Sequence, residues 1–275
     1  MKKDVSSLPT QLGVLGGGVM GEALISRLIS LKIFAAEAIA VGDPSASRRQ
    51  FLVDTYGVQA TGDNRAVIAN AAVVMAAIKP QIFSKLVPDL QAAASQQTSL
   101  LLSIMAGTPL VTLEAAVPGW PVVRAMPNTP ATVGAGMTAI APGQHATADH
   151  LAQARTIFAA VGDVVEVPEN LINAVTGLSG SGPGYVAIMI EALADGGVAA
   201  GLPRAIALQL AIQTVRGTAT LVQDTDLHPA ILKDRVTSPG GTTIAGIAAL
   251  EAGGIRTALI RAVKAACDRA DELGT

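Results

Sequence analysis

The sequence predicts an α/β protein in two unlike halves: a parallel sheet interleaved with helices over residues 1–168, then an all-helical part over 169–275. Three observations predict it. An apolar run ends in a glycine-spaced turn and a helical pattern, short apolar runs then alternate with helical stretches as far as Val167, and from Leu171 only helical periodicity remains. Half of the 275 residues are hydrophobic but only 3% are aromatic, so the core must be built from Ala, Val, Ile and Leu.

The first element is the stretch from Leu12 to Gly21, L-G-V-L-G-G-G-V-M-G. Leu12 to Leu15 reads as a strand, Gly16, Gly18 and Gly21 have G-x-G-x-x-G spacing, and Ala23, Leu24, Ile25, Leu28 and Ile29 follow at helical intervals. Strand, tight turn and helix in this order predict the start of a Rossmann-type dinucleotide-binding unit, although glycines at this spacing also make a plain turn. Gly16 makes the turn, Gly18 keeps side-chain bulk away from a pyrophosphate, and Gly21 lets helix and strand pack closely, with the phosphates on the helix N-terminus.

Ala38 to Val41 reads as the second strand, ending at Gly42-Asp43-Pro44. Asp43 lies where such a unit places its ribose contact, while Ser45, Ser47, Arg48 and Arg49 suit the 2′-phosphate of NADP; an N-cap followed by a solvated arginine pair explains the same residues. The alternation continues as helix (46–56), strand (58–60), helix (63–70), strand (73–77), helix (81–90) and strand (100–104). Asn64, Lys79-Pro80 and Met105-Ala106-Gly107 punctuate strand ends, so they line one crevice. Val122 to Pro130 reads as an extended loop held by Pro127 and Pro130. A strand (133–140), a helix (148–160) and a last strand (164–167) close the half.

The second half reads as helices over 171–178, 183–200, 203–222, 230–236, 242–251 and 255–273, many of them apolar around much of their circumference. That surplus predicts a homodimer at least. Two loops stand out. Gly177 to Tyr185 places small residues before a helix, either to admit a ligand or to let helices cross. Ser238 to Thr243 sets two glycines and two threonines before another, which suits a small carboxylate as well as an ordinary capped helix.

A net charge of -2 without clustered basic and aromatic residues disfavours nucleic acid, and the stretches 67–78 and 99–113 are too short or too broken to cross a bilayer. The single cysteine, Cys267, excludes an internal disulfide and disfavours a cysteine-based metal site; no metal is expected. Lys2 and Lys3 precede no signal-like apolar run, so a cytoplasmic location is expected.

From Leu12 to Leu273 the chain resembles pyrroline-5-carboxylate reductase. The resemblance rests on Gly16 to Gly21, Ala77-Ile78-Lys79-Pro80-Gln81, Met126-Pro127-Asn128-Thr129-Pro130, Gly177 to Tyr185, Ala194-Asp195-Gly196-Gly197 with Gly201-Leu202-Pro203-Arg204, and Ser238 to Thr243. It implies reduction of 1-pyrroline-5-carboxylate to L-proline, the last step of proline synthesis, by hydride from a reduced nicotinamide dinucleotide. It also implies a dimer through the helical part, which in the family often assembles further into a decamer. The dinucleotide contacts it implies are Gly16, Gly17, Gly18, Val19, Met20, Gly21, Asn64, Ala77, Ile78, Lys79, Pro80, Met105 and Ala106; those to the imine carboxylate are Ser181, Thr242 and Thr243, with Glu169 on the substrate side. Asp43 stands where several members have Ser; a carboxylate there repels a 2′-phosphate, so NADP(H) is expected with NAD(H) left open.

Reducing a C=N bond needs hydride on carbon and a proton on nitrogen. Thr243 is the candidate catalytic group, orienting the ring nitrogen by hydrogen bonding while water or an already protonated iminium supplies the proton. His145, His150 and His228 lie outside the motifs, and a β-hydroxyacid dehydrogenase would be expected to carry a lysine on the helix near Pro183, which here carries Glu191 and Asp195. A dinucleotide sensor without activity is the remaining reading, and Ser181 and Thr243 argue against it.

Overall fold

The computed structural model describes residues 11–274, so the segment carrying Lys2 and Lys3 lies outside the described residues. Two compact units divide the chain: one runs to Gly180 and resumes from Ala266, and the other is Ser181–Ala265.

The first unit is built on an eight-stranded sheet in the order β3-β2-β1-β4-β5-β6-β7-β8. The strands are β1 (Leu12–Leu15), β2 (Ile39–Gly42), β3 (Gln59–Thr61), β4 (Val73–Ala76), β5 (Leu100–Ser103), β6 (Val122–Met126), β7 (Gly136–Pro142) and β8 (Gly162–Glu166). All neighbours pair in parallel except β6 and β7, where Met126 opposes Ala139. Its helices are α1 (Val19–Ser30), α2 (Ala46–Tyr56), α3 (Asn64–Ile68), α4 (Phe83–Ala94), α5 (Leu110–Ala116), α6 (Ala148–Phe158) and α7 (Ile172–Val175), the last running into a π-helical turn, Thr176–Gly180.

The central strands β1, β4 and β5 are buried along their whole length, which is why they read as continuous apolar runs, whereas β3 and β8 at the edges are partly exposed. Leu12, Val14, Leu24 and Leu28 join Phe158 and Ile157 in one core layer, while Leu15, Val74, Leu101 and Trp120 join Leu86 and Leu113 in the other. Trp120 is packing, its indole N–H donating to the Gln97 carbonyl at 2.7 Å. Two histidines are helix caps: His150 closes a capping box with Thr147, and His228 accepts from Ala230 N–H.

Two segments differ from expectation. Val122–Met126 is a strand rather than a loop, because its flanking prolines lie just outside the ladder. The first unit also extends past residue 168, because Ile172 is buried against Ala139 and Ala141, and Asn173 Nδ2 donates to Asp271 at 2.6 Å.

The second unit holds α8 (Gly182–Ala199), α9 (Arg204–Thr225), α10 (Pro229–Arg235), α11 (Thr242–Ala252) and most of α12 (Ile255–Gly274). Helices α8 and α9 meet over Ala194, Ala207 and Ala211, and the small residues let the helices approach closely. Ile188, Leu193, Ile206, Leu208, Leu210 and Ile212 stay exposed on this unit. By length and composition alone, α9 among the described helices is long and apolar enough to cross a membrane, and α11 and α12 pass the same test as a bent pair. A helix that packs on a second copy has the same composition.

Turn geometry at β1 explains two glycines. Gly16 has φ +102°, and a Cβ there would lie 2.5 Å from the Ala77 carbonyl oxygen at the end of β4. A Cβ on Gly21 would fall on the Gly16 carbonyl oxygen. Gly21→Ala is therefore expected to destabilise the protein by about 3 kcal/mol, the cost of forcing atoms into a packed site. The check is the urea midpoint; an unchanged midpoint would contradict the close approach.

Candidate functional site

The chain leaves β1 to place β2 and β3 on one side, then returns to place β4 on the other, so the sheet order reverses at β1 and β4. Open α/β sheets bind ligands at such a switch, outside the carboxyl ends of the strands. Gly16 and Ala77 meet there, and Gly16 N–H donates to the Gly42 carbonyl at 2.7 Å.

Gly18 is the N-cap of α1, with ordinary extended backbone (φ −67°, ψ −173°) and no side-chain cap, and a Cβ on it would meet no protein atom within 4 Å. Packing does not demand glycine here, and the first N–H groups of α1 carry no side-chain partner. Both facts fit a pyrophosphate resting on the helix start. Val19 is exposed beside it at 73%, while Met20 leans on the core.

Asp43 closes the turn from the next strand. Its Oδ2 accepts from Gly17 N–H and its Oδ1 from Ser45 N–H, both at 2.9 Å. Ser45 caps α2, and its Oγ lies 3.0 Å from that of Ser47. Arg48 donates to the Gly17 carbonyl and to Glu22, and its guanidinium lies over the Phe51 ring. Tyr56 OH also donates to Glu22 at 2.8 Å. Burial pushes Glu22 upward, but the hydrogen bonds from Arg48 and Tyr56 and the charge of Arg48 outweigh it, leaving the carboxyl below its ordinary range. Burial and then the bond to Glu22 raise Tyr56. Nothing local in the sequence signalled this network, since its partners are 26 and 34 residues apart.

The other expected dinucleotide contacts lie along the same strand ends. Asn64 opens α3, and its Oδ1 occupies the space where a Cβ on Gly42 would sit. Ala77 N–H donates to the Leu15 carbonyl, Ile78 packs on the second core layer, and exposed Lys79 caps a short turn begun by Pro80. Met105 is 1% exposed, its side chain spent on the core, whereas Ala106 is exposed. Asn128, from the loop between β6 and β7, donates to the Ser179 carbonyl at 3.0 Å and accepts from Met137 N–H at 2.9 Å, fixing the π-helical turn.

The expected substrate contacts divide between the units. Ser181 begins the second unit as the N-cap of α8, and its hydroxyl makes no cap hydrogen bond. Thr242 and Thr243 open α11, whose N-cap Gly241 offers no side-chain cap; Thr242 is exposed and Thr243 half-buried. The N–H groups of that first turn suit a carboxylate. Glu169 belongs to the first unit, where its Oε1 accepts from Leu110 N–H at 2.5 Å and from Arg124 at 3.0 Å.

Residues 169–273 match the family model described as pyrroline-5-carboxylate reductase dimerisation, and residues 11–107 match that described as NADP oxidoreductase coenzyme F420-dependent. Pyrroline-5-carboxylate reductase of Synechocystis sp. is 56% identical, covering 96% of this chain and 98% of its own length; that of Arabidopsis thaliana is 42% identical, covering 96% and 95%. The solved pyrroline-5-carboxylate reductase of Coxiella burnetii superposes with a TM-score of 0.91 at 35% identity, covering 97% and 99% of the two chains. The Plasmodium falciparum pyrroline carboxylate reductase, solved with NADP bound, superposes at 0.86 and 30% identity, covering 97% and 98%.

Because the Glu22 carboxyl is held low in the fold, its stabilising contribution is complete above the unfolded value and drains away as pH falls through the folded one. Glu22→Gln should melt earlier than wild type at neutral pH, and the gap should narrow as pH falls below the ordinary carboxylate range and close once it has passed through the lowered folded value, where both states bind the proton. A gap independent of pH in thermal melts would contradict the pairing.

Proposed function

Because the chain belongs to the pyrroline-5-carboxylate reductase family, we propose that it reduces 1-pyrroline-5-carboxylate to L-proline, the last step of proline synthesis, with NADP(H) as its cofactor. The observation that carries this reading is the uncapped start of α1 at the sheet's switch point, where a Cβ on Gly18 would enter only open space. When bound, the reduced dinucleotide supplies the hydride.

The chain's residues do the rest. Gly16 to Gly21 with Asn64, Ala77 to Pro80 and Ala106 hold the dinucleotide, and Met105, buried in the core, anchors the loop beneath Ala106. Ser45 and Ser47, with the guanidinium edge of Arg48 that Glu22 and the Gly17 carbonyl leave over, stand at the start of α2 for the adenosine 2′-phosphate. Asp43 spends both oxygens on backbone N–H groups, which turns them toward the Gly17 and Ser45 backbone and weakens its repulsion of that phosphate; the preference for NADPH rests on Ser45, Ser47 and Arg48. The first turn of α11, with Thr242 and the hydroxyl of Ser181, takes the substrate carboxylate. Thr243 hydrogen-bonds the ring nitrogen and fixes the imine for attack; its hydroxyl is too weak an acid to be the proton source, so water or the protonated iminium serves.

The helical part makes the chain self-associate, consistent with its exposed apolar faces. We place the enzyme in the cytoplasm as a homodimer that assembles further into a decamer, without nucleic-acid or membrane partners. Its net charge of -2 supports the first exclusion, and assigning the apolar faces of α9 to a second copy supports the other.

The direct test is dinucleotide oxidation followed by absorbance, with NADPH and NADH side by side and with or without 1-pyrroline-5-carboxylate. Oxidation that requires the imine supports the reading; none with either dinucleotide overturns it. Thr243→Ala should lower turnover by roughly 10²-fold with little change in NADPH affinity, as for a contact made mainly in the transition state; unaltered turnover would reject its role. Asp43→Asn should raise KM for both dinucleotides by a similar factor, through loosening of the Gly17 turn. A change confined to NADPH would show instead that the carboxylate faces the phosphate.

A further inference from the structure

Helix α5 begins badly on its own account. Its N-cap is Pro109, whose ring offers no acceptor for the first N–H groups, and the loop before it, residues 104–109, leads from β5 through Met105, Ala106 and Gly107 with φ +69°. The missing acceptor arrives from 59 residues further along the chain: Glu169 Oε1 accepts the Leu110 N–H at 2.5 Å. The same oxygen accepts from Arg124 Nη1 at 3.0 Å, and Arg124, at the centre of β6, is only 5% exposed. The loop is thus pinned at one end by β5, where Ile104 N–H donates to the Ala76 carbonyl, and at the other by a carboxylate locked onto a buried guanidinium.

We propose that Glu169 is a positioning residue for the dinucleotide: with Arg124 it caps α5 and so fixes the Met105 to Pro109 loop that holds the cofactor. It does not touch the substrate. This rests on the proposed reductase function, and it changes the side of the reaction on which Glu169 acts. A substrate contact would make itself felt in the KM for the imine, whereas a pin on the loop is felt in the KM for NADPH.

A single truncation leaves Arg124 buried without its anion and endangers the fold, so the decisive variant removes both charges. Arg124→Met/Glu169→Leu replaces the pair by apolar side chains and still lacks the cap. With melting close to wild type, it should show an NADPH KM raised by about fivefold or more and an imine KM within about twofold of wild type. Arg124→Met/Glu169→Gln also removes the buried charge but keeps an oxygen for the Leu110 N–H, and should bring the NADPH KM back to within about twofold. A raised imine KM with an unchanged NADPH KM would make Glu169 a substrate contact, and wild-type constants throughout would make the cap irrelevant; either result overturns the proposal. Wild-type enzyme in the same assay tests the reductase reading separately, since it must oxidise NADPH only when the imine is present.

Discussion

The molecule depends on one close approach: the Gly16 α-carbon against the Ala77 carbonyl, where β1 and β4 lie side by side and the sheet changes direction. No side chain fits between them. The chain must therefore turn at Gly16, and α1 must start where the sheet offers its strand ends to a ligand. Gly21 repeats the constraint one turn later, pressing α1 back onto the carbonyl of Gly16. Gly18 stands between them free of any such demand, with open space where a Cβ would lie.

Around that turn, longer-range pairs hold what the glycines alone leave loose. Asp43 takes the Gly17 N–H, Arg48 takes the Gly17 carbonyl, and Glu22 and Tyr56 hold Arg48. The arrangement brings the Arg48 guanidinium, paired with Glu22, and the hydroxyls of Ser45 and Ser47 together at the start of α2. On the far side of the switch point, Glu169 and Arg124 do the corresponding work for the loop after β5. In both places a charged group reaches across the sheet order to fix backbone that the local sequence leaves undetermined.

What was legible in the sequence is what is encoded locally. β1 and α2 follow the expected bounds because apolar runs, caps and glycines act within a few residues, as Ser45 does for α2. β6 was missed because Pro121 and Pro127 flank it, and its pairing with β7 is decided by residues far along the chain. α5 gave no signal because its cap is supplied by Glu169. The change to helical periodicity near Pro168 was visible, yet the compact unit runs on to Gly180, because burial of Ile172 against β7 is a tertiary fact. Of the site, the glycine turn and the uncapped threonine helix could be read directly, whereas the engagement of Glu169 and Asp43 by backbone N–H groups could not.

The measurement that tests the central claim most directly is NADPH binding to Gly18→Ala, followed by fluorescence titration beside a thermal melt. The added methyl meets no protein atom and the backbone angles suit alanine, so the melt should match wild type while affinity falls by at least about tenfold, because the pyrophosphate can no longer approach the start of α1. A variant that binds NADPH as tightly as wild type would contradict the account.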